Sequence, residues 1–436
     1  MNVRTLLVTL NGASIGTLRD ENGIWSFKYD PAWLDDRQHF ALSPSLPLQQ
    51  EPLLDLSSKR PVQWYFDNLL PEEHQRSLLA GDARIDAADA FGLLGYYGAE
   101  SAGSLTLLAA EAENQIEEAL LHLSDTELNE RILALPRVPL THRAKKRMSL
   151  AGAQHKLAVV LQDGALFEPA GATPSTHIIK PDHPDADYPH SVINEWFVMR
   201  LARRAGLSVP DVQRRYVPAP VYIIERFDRV RDAHGWQRRH VIDACQLLGL
   251  DRSFKYSQGS MNSLAALANL CRGNIAARTR LFNWLVFNVL VGNTDAHLKN
   301  LSFLVGPEGI ELAPHYDMLS TACYETPAYN KQGWPNRTEM AWPVLGKQFI
   351  TDIDRTLLIE AAEALSIKKA TAARLLDNLC NRIMRNAEEI YQEFEAENAS
   401  LKQRAELAPF FAGESRCLRT IIHVVIKESV AKLRKH

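Results

Sequence analysis

The stretch that decides the fold is NTDAHLKN, residues 293–300, which follows an apolar run from Leu281 to Val291. In this octet Asp295 is followed five residues later by Asn300. Phosphoryl transfer uses such a pair, because a carboxylate near the attacking hydroxyl can accept its proton while a nearby amide oxygen can hold Mg²⁺. The catalytic loop of protein kinases has the same interval. An alternative interpretation is a capped turn between helices, since Asn, Thr and Asp are common helix caps.

A second acidic position follows further along the chain. Asp317 ends the triplet HYD, residues 315–317, which comes after a short apolar run predicted as a strand at Gly309 to Leu312. A carboxylate there could supply a further ligand for Mg²⁺ between the β- and γ-phosphates. An isolated Asp in a turn is usually structural. Together with Asp295 and Asn300, however, Asp317 predicts one base and one Mg²⁺ site.

Candidates for nucleotide binding precede this stretch. Lys180 closes a short β-like run, a position from which an ammonium group can reach the α- and β-phosphates, and Glu195 on the next predicted helix could orient it. Glu225 and Phe227 follow the apolar run 221–224, where a hinge between two lobes would present backbone groups to adenine. For each residue taken alone, a solvated strand end or an edge turn is the alternative.

A loop with one glycine, SLAGAQHK at residues 149–156, precedes the first strand of this β-rich segment, where a phosphate-covering loop belongs. It satisfies neither of the common glycine-rich phosphate motifs. Ser149 follows four cations, which would stabilise a phosphate on this residue. The alternative interpretation is that the basic run is a solvated face of a linker. These cations are Arg143, Lys145, Lys146 and Arg147. The further nucleotide-binding candidates are Ala151, Gly152, Ala153, Gln154, Lys156 and His297.

The composition of the 436 residues is that of a globular protein, and it limits the partners. Lys and Arg number 49 against 52 Asp and Glu, and the net charge of −3 excludes a global basic field that could hold nucleic acid. Five cysteines without a Cys-x-x-Cys pair favour neither a disulfide framework nor a zinc ribbon. The apolar runs are too short for a secretion signal or a membrane span. We therefore expect a cytoplasmic protein that does not associate with membranes.

The N-terminal part is predicted to be β-rich. Residues 3–29 carry two Asn-Gly pairs between apolar runs, a pattern typical of type I′ hairpins. A glycine-punctuated stretch from Gly92 to Leu107 also favours strands, whereas the acidic stretch from Glu111 to Leu135 favours a helix. Prolines then predict a linker at about residues 136–147.

The rest of the chain alternates β signals with one helix and then becomes mainly helical after about residue 240. A hairpin is predicted at 157–167, a strand at 176–180 and a helix from Ser191 to Ala205. The expected class is α+β, with an N-terminal β-rich α/β domain followed by a two-lobed, protein-kinase-like core. The predicted domains are residues 1–140, a small lobe with the phosphate-covering loop and hinge at 141–230, and a mainly helical C-terminal lobe with the catalytic loop and metal site at 231–436.

Taken in order, these segments resemble the HipA family of toxin kinases. The matching motifs are SLAGAQHK (149–156), TPSTHIIK (173–180), ERFDR (225–229), DACQ (243–246), NTDAHLKN (293–300) and HYD (315–317). Two further segments resemble signatures of the family's N-terminal domain, namely WYFDNLLPE (64–72) and FGLLGYYGAESAG (91–103). The resemblance covers about residues 1–325.

The resemblance implies a serine/threonine protein kinase that uses ATP and Mg²⁺ and forms the toxin half of a type II toxin–antitoxin pair. Members of the family phosphorylate a translation component, glutamyl-tRNA synthetase in the best-known case. They also bind a helix-turn-helix antitoxin, HipB, that carries them to operator DNA. The implied roles are Asp295 as the catalytic Asp, Lys299 near the γ-phosphate, Asn300 and Asp317 as Mg²⁺ ligands, Lys180 on the ATP phosphates, Glu225 and Phe227 around adenine, and Ser149 as the autophosphorylated serine.

Two other functions are compatible with many of the same residues. A catalytically silent corepressor that binds nucleotide and acts with an antitoxin on DNA would have no need of Asp295, Asn300 and Asp317 together. A small-molecule phosphotransferase shares the Asp-to-Asn interval, but Ser149 in the covering loop favours a protein kinase. With a net charge of −3 and no recognisable recognition helix, we expect operator DNA to be bound only through the antitoxin.

Overall fold

The computed structural model describes residues 3–101, 103–109, 118–142, 144, 146–148, 150–233, 235–401 and 404–434. Ser149 lies outside the described residues, as do Arg143 and Lys145 of the basic run before it. The chain divides into two compact units. The first comprises Met1–Lys180, Ile224–Phe254 and Ser302–Ala313, and the second comprises Pro181–Ile223, Lys255–Leu301 and Pro314–His436.

The first unit begins with an antiparallel sheet. Its strands are β1 (Val3–Leu10), β2 (Ala13–Glu21), β3 (Ile24–Tyr29), β4 (Leu53–Leu54) and β5 (Thr106–Leu108), in the order β4-β3-β2-β1-β5. Asn11 and Asn22 have φ angles of 49° and 52°, as the turns between β1, β2 and β3 require. The β-meander predicted from the Asn-Gly pairs is therefore confirmed.

Helices of the first unit contact this sheet and one another. They are α1 (Pro31–Asp35), α2 (Pro61–Asp67), α3 (Glu73–Ala83) and α4 (Ala90–Tyr97). The prediction of strands from Gly92 to Leu107 is wrong for the part that forms α4. Asp89 caps this helix by accepting a hydrogen bond from the Gly92 N–H at 3.0 Å, and Phe91 and Leu94 are buried. The cap and the burial outweigh the low helix propensity of the glycines.

A second sheet has the strand order β10-β11-β9-β7-β8-β6. The strands are β6 (Ala119–Leu123), β7 (Leu157–Gln162), β8 (Ala165–Ala170), β9 (His177–Pro181), β10 (Val212–Tyr216) and β11 (Pro220–Glu225). The hairpin predicted at 157–167 is confirmed as β7 and β8, and the predicted strand at 176–180 is confirmed as β9. The chain leaves the first unit within β9 and returns to it within β11.

The helix predicted from Glu111 to Leu135 is confirmed only in part. Residues 125–133 form α5 (Asp125–Leu133), which Ser124 caps by accepting from the Glu127 N–H at 3.2 Å. Residues 119–123 form β6 instead, because they pair along their length with β8. Residues 110–117 lie outside the described residues. Pairing with β8 determines the conformation of residues 119–123, and the acidic composition of this stretch does not predict that pairing.

The first unit is completed by short strands and one short helix, which follow the predicted hinge residues in the chain. These elements are β12 (Arg229–Asp232), β13 (Gly235–Arg238), β14 (Val241–Asp243), α7 (Ala244–Leu248), β15 (Ser302–Gly306) and β16 (Gly309–Leu312). β12 pairs with β13, and β15 pairs with both β14 and β16. Phe227 packs against Val241, Leu304 and Ala313. The strand predicted at Gly309 to Leu312 is confirmed, whereas the prediction of a mainly helical chain after residue 240 overlooked β14 and β15.

The second unit is mainly helical. Its helices are α6 (Ser191–Arg204), α8 (Met261–Leu270), α9 (Asn274–Val291), α10 (Arg355–Ala364), α11 (Lys369–Leu401), α12 (Ala408–Thr420) and α13 (Lys427–Leu433), with a π-helical segment at Ile421–Ile426 and a hairpin of β17 (Glu339–Val344) and β18 (Lys347–Phe349). α9 contains the apolar run from Leu281 to Val291 and is buried along this C-terminal half. Within the described ranges, no helix combines the length and apolarity needed to cross a membrane.

Candidate active site

The loop at residues 293–300 begins where α9 ends, at Gly292. Gly292 has a φ of 62°, in the left-handed region that favours glycine. A Cβ atom at this position would lie 2.7 Å from Cβ of Ala322 and 2.8 Å from Cγ1 of Val425. The close approach of these two side chains leaves room only for glycine, which therefore sets the direction in which the loop leaves the helix.

Asp295 is fixed through its backbone, while its side chain remains half-buried. Its N–H donates to Oδ1 of Asn293 at 3.1 Å, and its carbonyl oxygen accepts from Nδ2 of Asn300 and from the N–H of His297, both at 2.8 Å. The hydroxyl of Tyr256 donates to Oδ1 of the Asp295 carboxylate at 2.7 Å. Such a bond fixes the orientation of the carboxylate that is the candidate base.

Tyr256 is a site residue that sequence reasoning missed. It lies 39 residues before Asp295, between α7 and α8, and no motif marks it. Its ring meets the ring of His297 edge to face, with centroids 5.0 Å apart. The preceding residue, Lys255, accepts a hydrogen bond from the Leu298 N–H at 3.1 Å through its carbonyl oxygen. The segment around Tyr256 is thus attached to the loop at several points.

Asp317 is attached to the same loop through its neighbour. The hydroxyl of Tyr316 donates to the carbonyl oxygen of Lys299 at 3.0 Å. Because Tyr316 precedes Asp317 and Lys299 precedes Asn300, this bond brings the two predicted Mg²⁺ ligands into one region of the second unit. Asp317 has a φ of 57°, a backbone conformation that costs energy for a residue with a side chain and that tends to persist where function requires it.

Glu195 reaches this region from α6 and is buried. Burial raises the pKa of Tyr222 well above its usual value, and the negative charges of Glu195 and Asp317 raise it further, so both carboxylates act on one tyrosine. The neighbouring Asn194 donates to the carbonyl oxygen of Ser320 at 2.9 Å and accepts from its N–H at 2.8 Å. These two bonds fix α6 against the residues that follow Asp317.

The oxygen atoms of Asn300 and Asp317 fit a hard cation. Nδ2 of Asn300 is used by the Asp295 carbonyl, so Oδ1 is the atom that can face a cation. Mg²⁺ prefers such oxygens and is usually bound by one or two protein groups together with phosphate oxygens and water. Across the described part of the chain, no group of three or more His, Cys, Asp or Glu side chains is placed to hold a metal, but a site of this kind does not need one.

His297 and Lys299 are both buried, with exposed fractions of 8% and 6%. Lys299 lies in a short 3₁₀ turn at Leu298–Asn300. The indole Nε1 of Trp342 donates to the carbonyl oxygen of Ala296 at 3.1 Å and fixes the middle of the loop. The second unit therefore contains all four predicted catalytic and metal residues, namely Asp295, Lys299, Asn300 and Asp317. It also contains His297, predicted to bind nucleotide, and Glu195, predicted to orient Lys180.

The predicted hinge and the predicted phosphate lysine belong to the first unit. Lys180 lies in β9 and is buried. Glu225 ends β11 and is exposed, and Phe227 follows it and is half-buried. Since Glu195 belongs to the second unit, its pairing with Lys180 stays a prediction.

The predicted phosphate-covering loop is held by N-terminal residues of the first unit. Gly152 forms a parallel bridge with Pro71, and its carbonyl oxygen accepts from the Glu72 N–H at 3.3 Å. Gln75 is hydrogen-bonded through Nε2 to Nδ1 of His155 at 2.8 Å. The motif WYFDNLLPE, which ends at Glu72, thus contacts the loop, a relation that the sequence order does not show.

Within this loop Nζ of Lys156 donates to the carbonyl oxygen of Ala151 at 2.7 Å, while Ala153 is exposed and Gln154 is half-buried. Ser149 itself lies outside the described residues, so its role stays a prediction.

Two of the cations before Ser149 are described. Lys146 is 1% exposed and donates to Glu100, so the interpretation of this position as a solvated linker face is wrong. The guanidinium of Arg147 lies over the ring of Tyr96, 4.0 Å from its centroid.

Two family models match the chain. Residues 6–108 match the HipA N-terminal domain, and residues 148–387, more than half of the chain, match the HipA-like C-terminal domain.

Relatives agree with these matches. The Sinorhizobium fredii protein Y4mE, whose name as a kinase is provisional, is 40% identical over 338 residues, which cover 74% of this chain and 79% of that protein. The serine/threonine-protein kinase toxin HipA of Shewanella oneidensis is 32% identical over 345 residues, which cover 74% of this chain and 76% of that toxin.

A solved structure extends the likeness to nearly the whole chain. The complex of Shewanella oneidensis HipA, HipB and operator DNA contains a chain that matches with a TM-score of 0.74 at 27% identity, covering 98% of this chain and 99% of that chain. This match confirms the predicted α+β class with a two-lobed, kinase-like core.

Proposed function

The chain belongs to the HipA family, and from that premise we propose that it is a serine/threonine protein kinase, the toxin half of a type II toxin–antitoxin pair, that phosphorylates a protein with ATP. The observation that carries the proposal is the bond from Tyr316 to the Lys299 carbonyl. It attaches the residue before Asp317 to the loop that carries Asp295 and Asn300, which supports a base and a Mg²⁺ site acting on one phosphate.

In the proposed reaction a substrate hydroxyl oxygen attacks the γ-phosphorus of ATP, the bond from this phosphorus to the β–γ bridging oxygen breaks, and ADP leaves. Asp295 accepts the hydroxyl proton on its carboxylate, which Tyr256 holds in place. Lys299 steadies the γ-phosphate. Asn300 and Asp317 hold Mg²⁺, which when bound offsets the charge of the β- and γ-phosphates.

In this proposal the nucleotide is bound by the residues assigned to it from the sequence. Lys180 contacts the α- and β-phosphates and Glu195 orients it. Glu225 and Phe227 frame adenine, with Phe227 supported by the apolar cluster on which it packs. The remaining contacts are made by the covering loop and the catalytic loop, through Ala151, Gly152, Ala153, Gln154, Lys156 and His297.

The proposed protein substrate is a component of translation, with glutamyl-tRNA synthetase as the first candidate. The proposed partner is a helix-turn-helix antitoxin of the HipB type, which the likeness to a HipA–HipB–operator complex supports. We expect the isolated chain to bind DNA weakly, because its net charge is −3, and sequence-specific operator binding to require the antitoxin. A tight, sequence-specific shift of operator DNA by the isolated chain would contradict this part of the proposal.

Autophosphorylation at Ser149 is proposed to inactivate the enzyme. A phosphoserine carries roughly −1.5 to −2 charges and would be repelled by bound ATP phosphates. The covering loop would then leave the nucleotide site. Mass spectrometry should find phosphate accumulating on Ser149 as ATP affinity falls. If fully phosphorylated protein binds ATP and modifies its substrate at the unphosphorylated rate, Ser149 is not a switch.

The decisive experiment compares the wild-type chain with Asp295→Asn. With labelled ATP and Mg²⁺, Asp295→Asn should lose roughly 10²-fold to 10⁴-fold in phosphoryl transfer to itself and to proteins of a bacterial lysate, because it lacks the base. ATP binding measured by calorimetry should persist. Asp211→Asn, which changes an exposed carboxylate of the same unit, is the matched control and should behave as wild type. Near-normal transfer by Asp295→Asn would refute the assignment.

The same assay separates the other candidate functions. A silent corepressor would bind ATP without transferring phosphate to any acceptor. A small-molecule phosphotransferase would leave both itself and the lysate proteins unlabelled while consuming ATP in the presence of a small acceptor.

A further inference from the structure

A single buried carboxylate in the first unit collects four cations. Glu100, with 1% exposure, accepts from Nζ of Lys146 at 2.8 Å, from Nη1 of Arg226 at 3.2 Å, and from Nη2 of Arg229 and Arg238 at 2.9 and 2.8 Å. All four cationic side chains are at least nine-tenths buried. Buried charges of this kind persist only when they are paired, so these positions depend on one another.

One of the four cations lies inside the predicted hinge. Arg226 stands between Glu225 and Phe227, and its guanidinium is buried rather than turned to solvent. Besides Glu100, it donates to Oγ of Ser175 at 3.1 Å, and this hydroxyl in turn donates to Glu100 at 2.7 Å. Glu100 therefore holds the central residue of the hinge both directly and through Ser175.

The residue that follows the hinge belongs to the same network. Asp228 accepts from Nε and Nη2 of Arg226 at 3.0 and 2.8 Å and from Nη1 of Arg229 at 2.7 Å. Two carboxylates thus face four cations. If Glu100 were neutral, Asp228 alone would offset these charges. The arginines would then separate, and the backbone of Glu225 and Phe227 would move with Arg226.

We propose that Glu100 is a positioning residue for nucleotide binding, because it fixes Arg226 and so places the hinge backbone and Phe227 for the adenine base. The inference rests on the proposed function, since the contact of the hinge with adenine is part of it. Glu100 lies within residues 6–108, which match the HipA N-terminal domain. In this chain the N-terminal domain therefore contributes to ATP affinity through a side chain that does not touch ATP.

The test uses the full chain with Glu100→Gln, which keeps the shape of the side chain and removes its charge. The substitution weakens charge-assisted bonds to four buried cations at once, so KM for ATP should rise roughly 10-fold to 100-fold while kcat stays within about twofold. The inhibition constant of adenosine should rise by the same factor, because the hinge contacts the base. Inhibition by inorganic tripolyphosphate, which has no base, should stay unchanged.

The matched control is Glu168→Gln. Glu168 is a buried carboxylate of the same unit, bonded to Arg131 at 2.8 and 2.9 Å, and it contacts no hinge residue among those described. Its variant should lose stability but keep KM for ATP and adenosine inhibition within about twofold of wild type. If Glu168→Gln raises both as much as Glu100→Gln does, the effect of Glu100 is general destabilisation and the proposal is wrong.

Should Glu100→Gln fail to fold, Ser175→Ala tests the same link by removing the hydroxyl between Glu100 and Arg226. It should raise KM for ATP about threefold to tenfold, again without a matching loss in kcat. A folded variant of either kind that binds ATP as wild type overturns the positioning role while leaving the proposed kinase intact. A wild-type chain that binds neither ATP nor adenosine overturns both, so the two failures are distinguishable.

Discussion

Replacing Tyr256 by Phe removes one atom from the candidate active site, the hydroxyl that donates to Oδ1 of Asp295 at 2.7 Å. The ring of Tyr256 keeps its edge-to-face contact with His297, because Phe has the same ring. The substitution therefore isolates the hydrogen bond from the packing. We expect the variant to fold, to bind ATP as wild type does, and to transfer phosphate more slowly.

The size of the effect follows from the geometry of the bond. A hydrogen bond to a charged group contributes roughly 1.5 to 3 kcal/mol. Tyr256 is 38% exposed, so water can replace part of the lost bond and the lower end of this range applies. A barrier higher by about 1.5 kcal/mol lowers kcat roughly 10-fold. KM for ATP should change less than about twofold, because the hydroxyl that is removed donates to Asp295 while the ring contact with His297 is kept.

The assay is a double-mutant cycle of Tyr256→Phe and Asp295→Asn, followed by phosphoryl transfer from labelled ATP. If Tyr256 acts through the carboxylate, Tyr256→Phe should have little further effect in the Asp295→Asn background. Tyr188→Phe changes a tyrosine of similar exposure in the same unit and is the control. An equal loss from Tyr256→Phe in both backgrounds, or no loss in the wild-type background, would refute the role of this bond.

Three further predictions concern strain, packing and pH. Asp317→Gly should abolish Mg²⁺-dependent ATP binding in calorimetry yet raise the free energy of unfolding by up to about 1 kcal/mol, because glycine relieves the left-handed backbone. Gly292→Ala should lower the free energy of unfolding, measured by urea titration, by roughly 2 to 4 kcal/mol, because the new Cβ meets its neighbours. Gly164 has a φ of 79° and open space around it, so Gly164→Ala should lower this free energy only by the smaller cost of a left-handed backbone. Burial raises the pKa of Glu414 to about 7 from 4.5, so the folded state holds a proton that the unfolded state releases. Between pH 4.5 and about pH 7 the free energy of unfolding of wild type, relative to that of Glu414→Gln, should fall as pH rises, by up to about 1.4 kcal/mol per pH unit. Urea titrations of both proteins measure this difference, and a difference that does not change with pH would contradict the raised pKa of Glu414.

Local chemistry made parts of the fold predictable. Asn-Gly pairs fix a turn type within two residues, so β1, β2 and β3 could be placed from the sequence. β6 could not, because its conformation depends on pairing with β8 more than forty residues away in sequence. The helix α4 was mistaken for a strand because its glycines lower helix propensity, and the burial that outweighs them is visible only in the folded chain.

The candidate site likewise contains residues that could be predicted from the sequence and residues that could not. Asp295, Asn300 and Asp317 could be predicted as candidates because phosphoryl transfer requires a base and Mg²⁺ ligands of these residue types. The groups that hold them could not, because Tyr256 lies in no motif and the triplet HYD does not indicate that the Tyr316 hydroxyl donates to Lys299. These two tyrosines contribute to the site because they lie close to it in the folded chain, and their positions in the sequence do not indicate this closeness.

The contacts of Asn300 explain why an amide rather than a carboxylate suits its position. Its nitrogen donates to the carbonyl oxygen of Asp295 at 2.8 Å, and its oxygen is the atom that can face a cation. An aspartate would offer the oxygen but would place a second oxygen against that carbonyl, where the two would repel each other. One side chain therefore closes the loop around Asp295 and leaves its oxygen for the proposed Mg²⁺. The interval of five residues between Asp295 and Asn300 accordingly spans a loop that Asn300 itself closes, besides separating the proposed base from the proposed metal ligand.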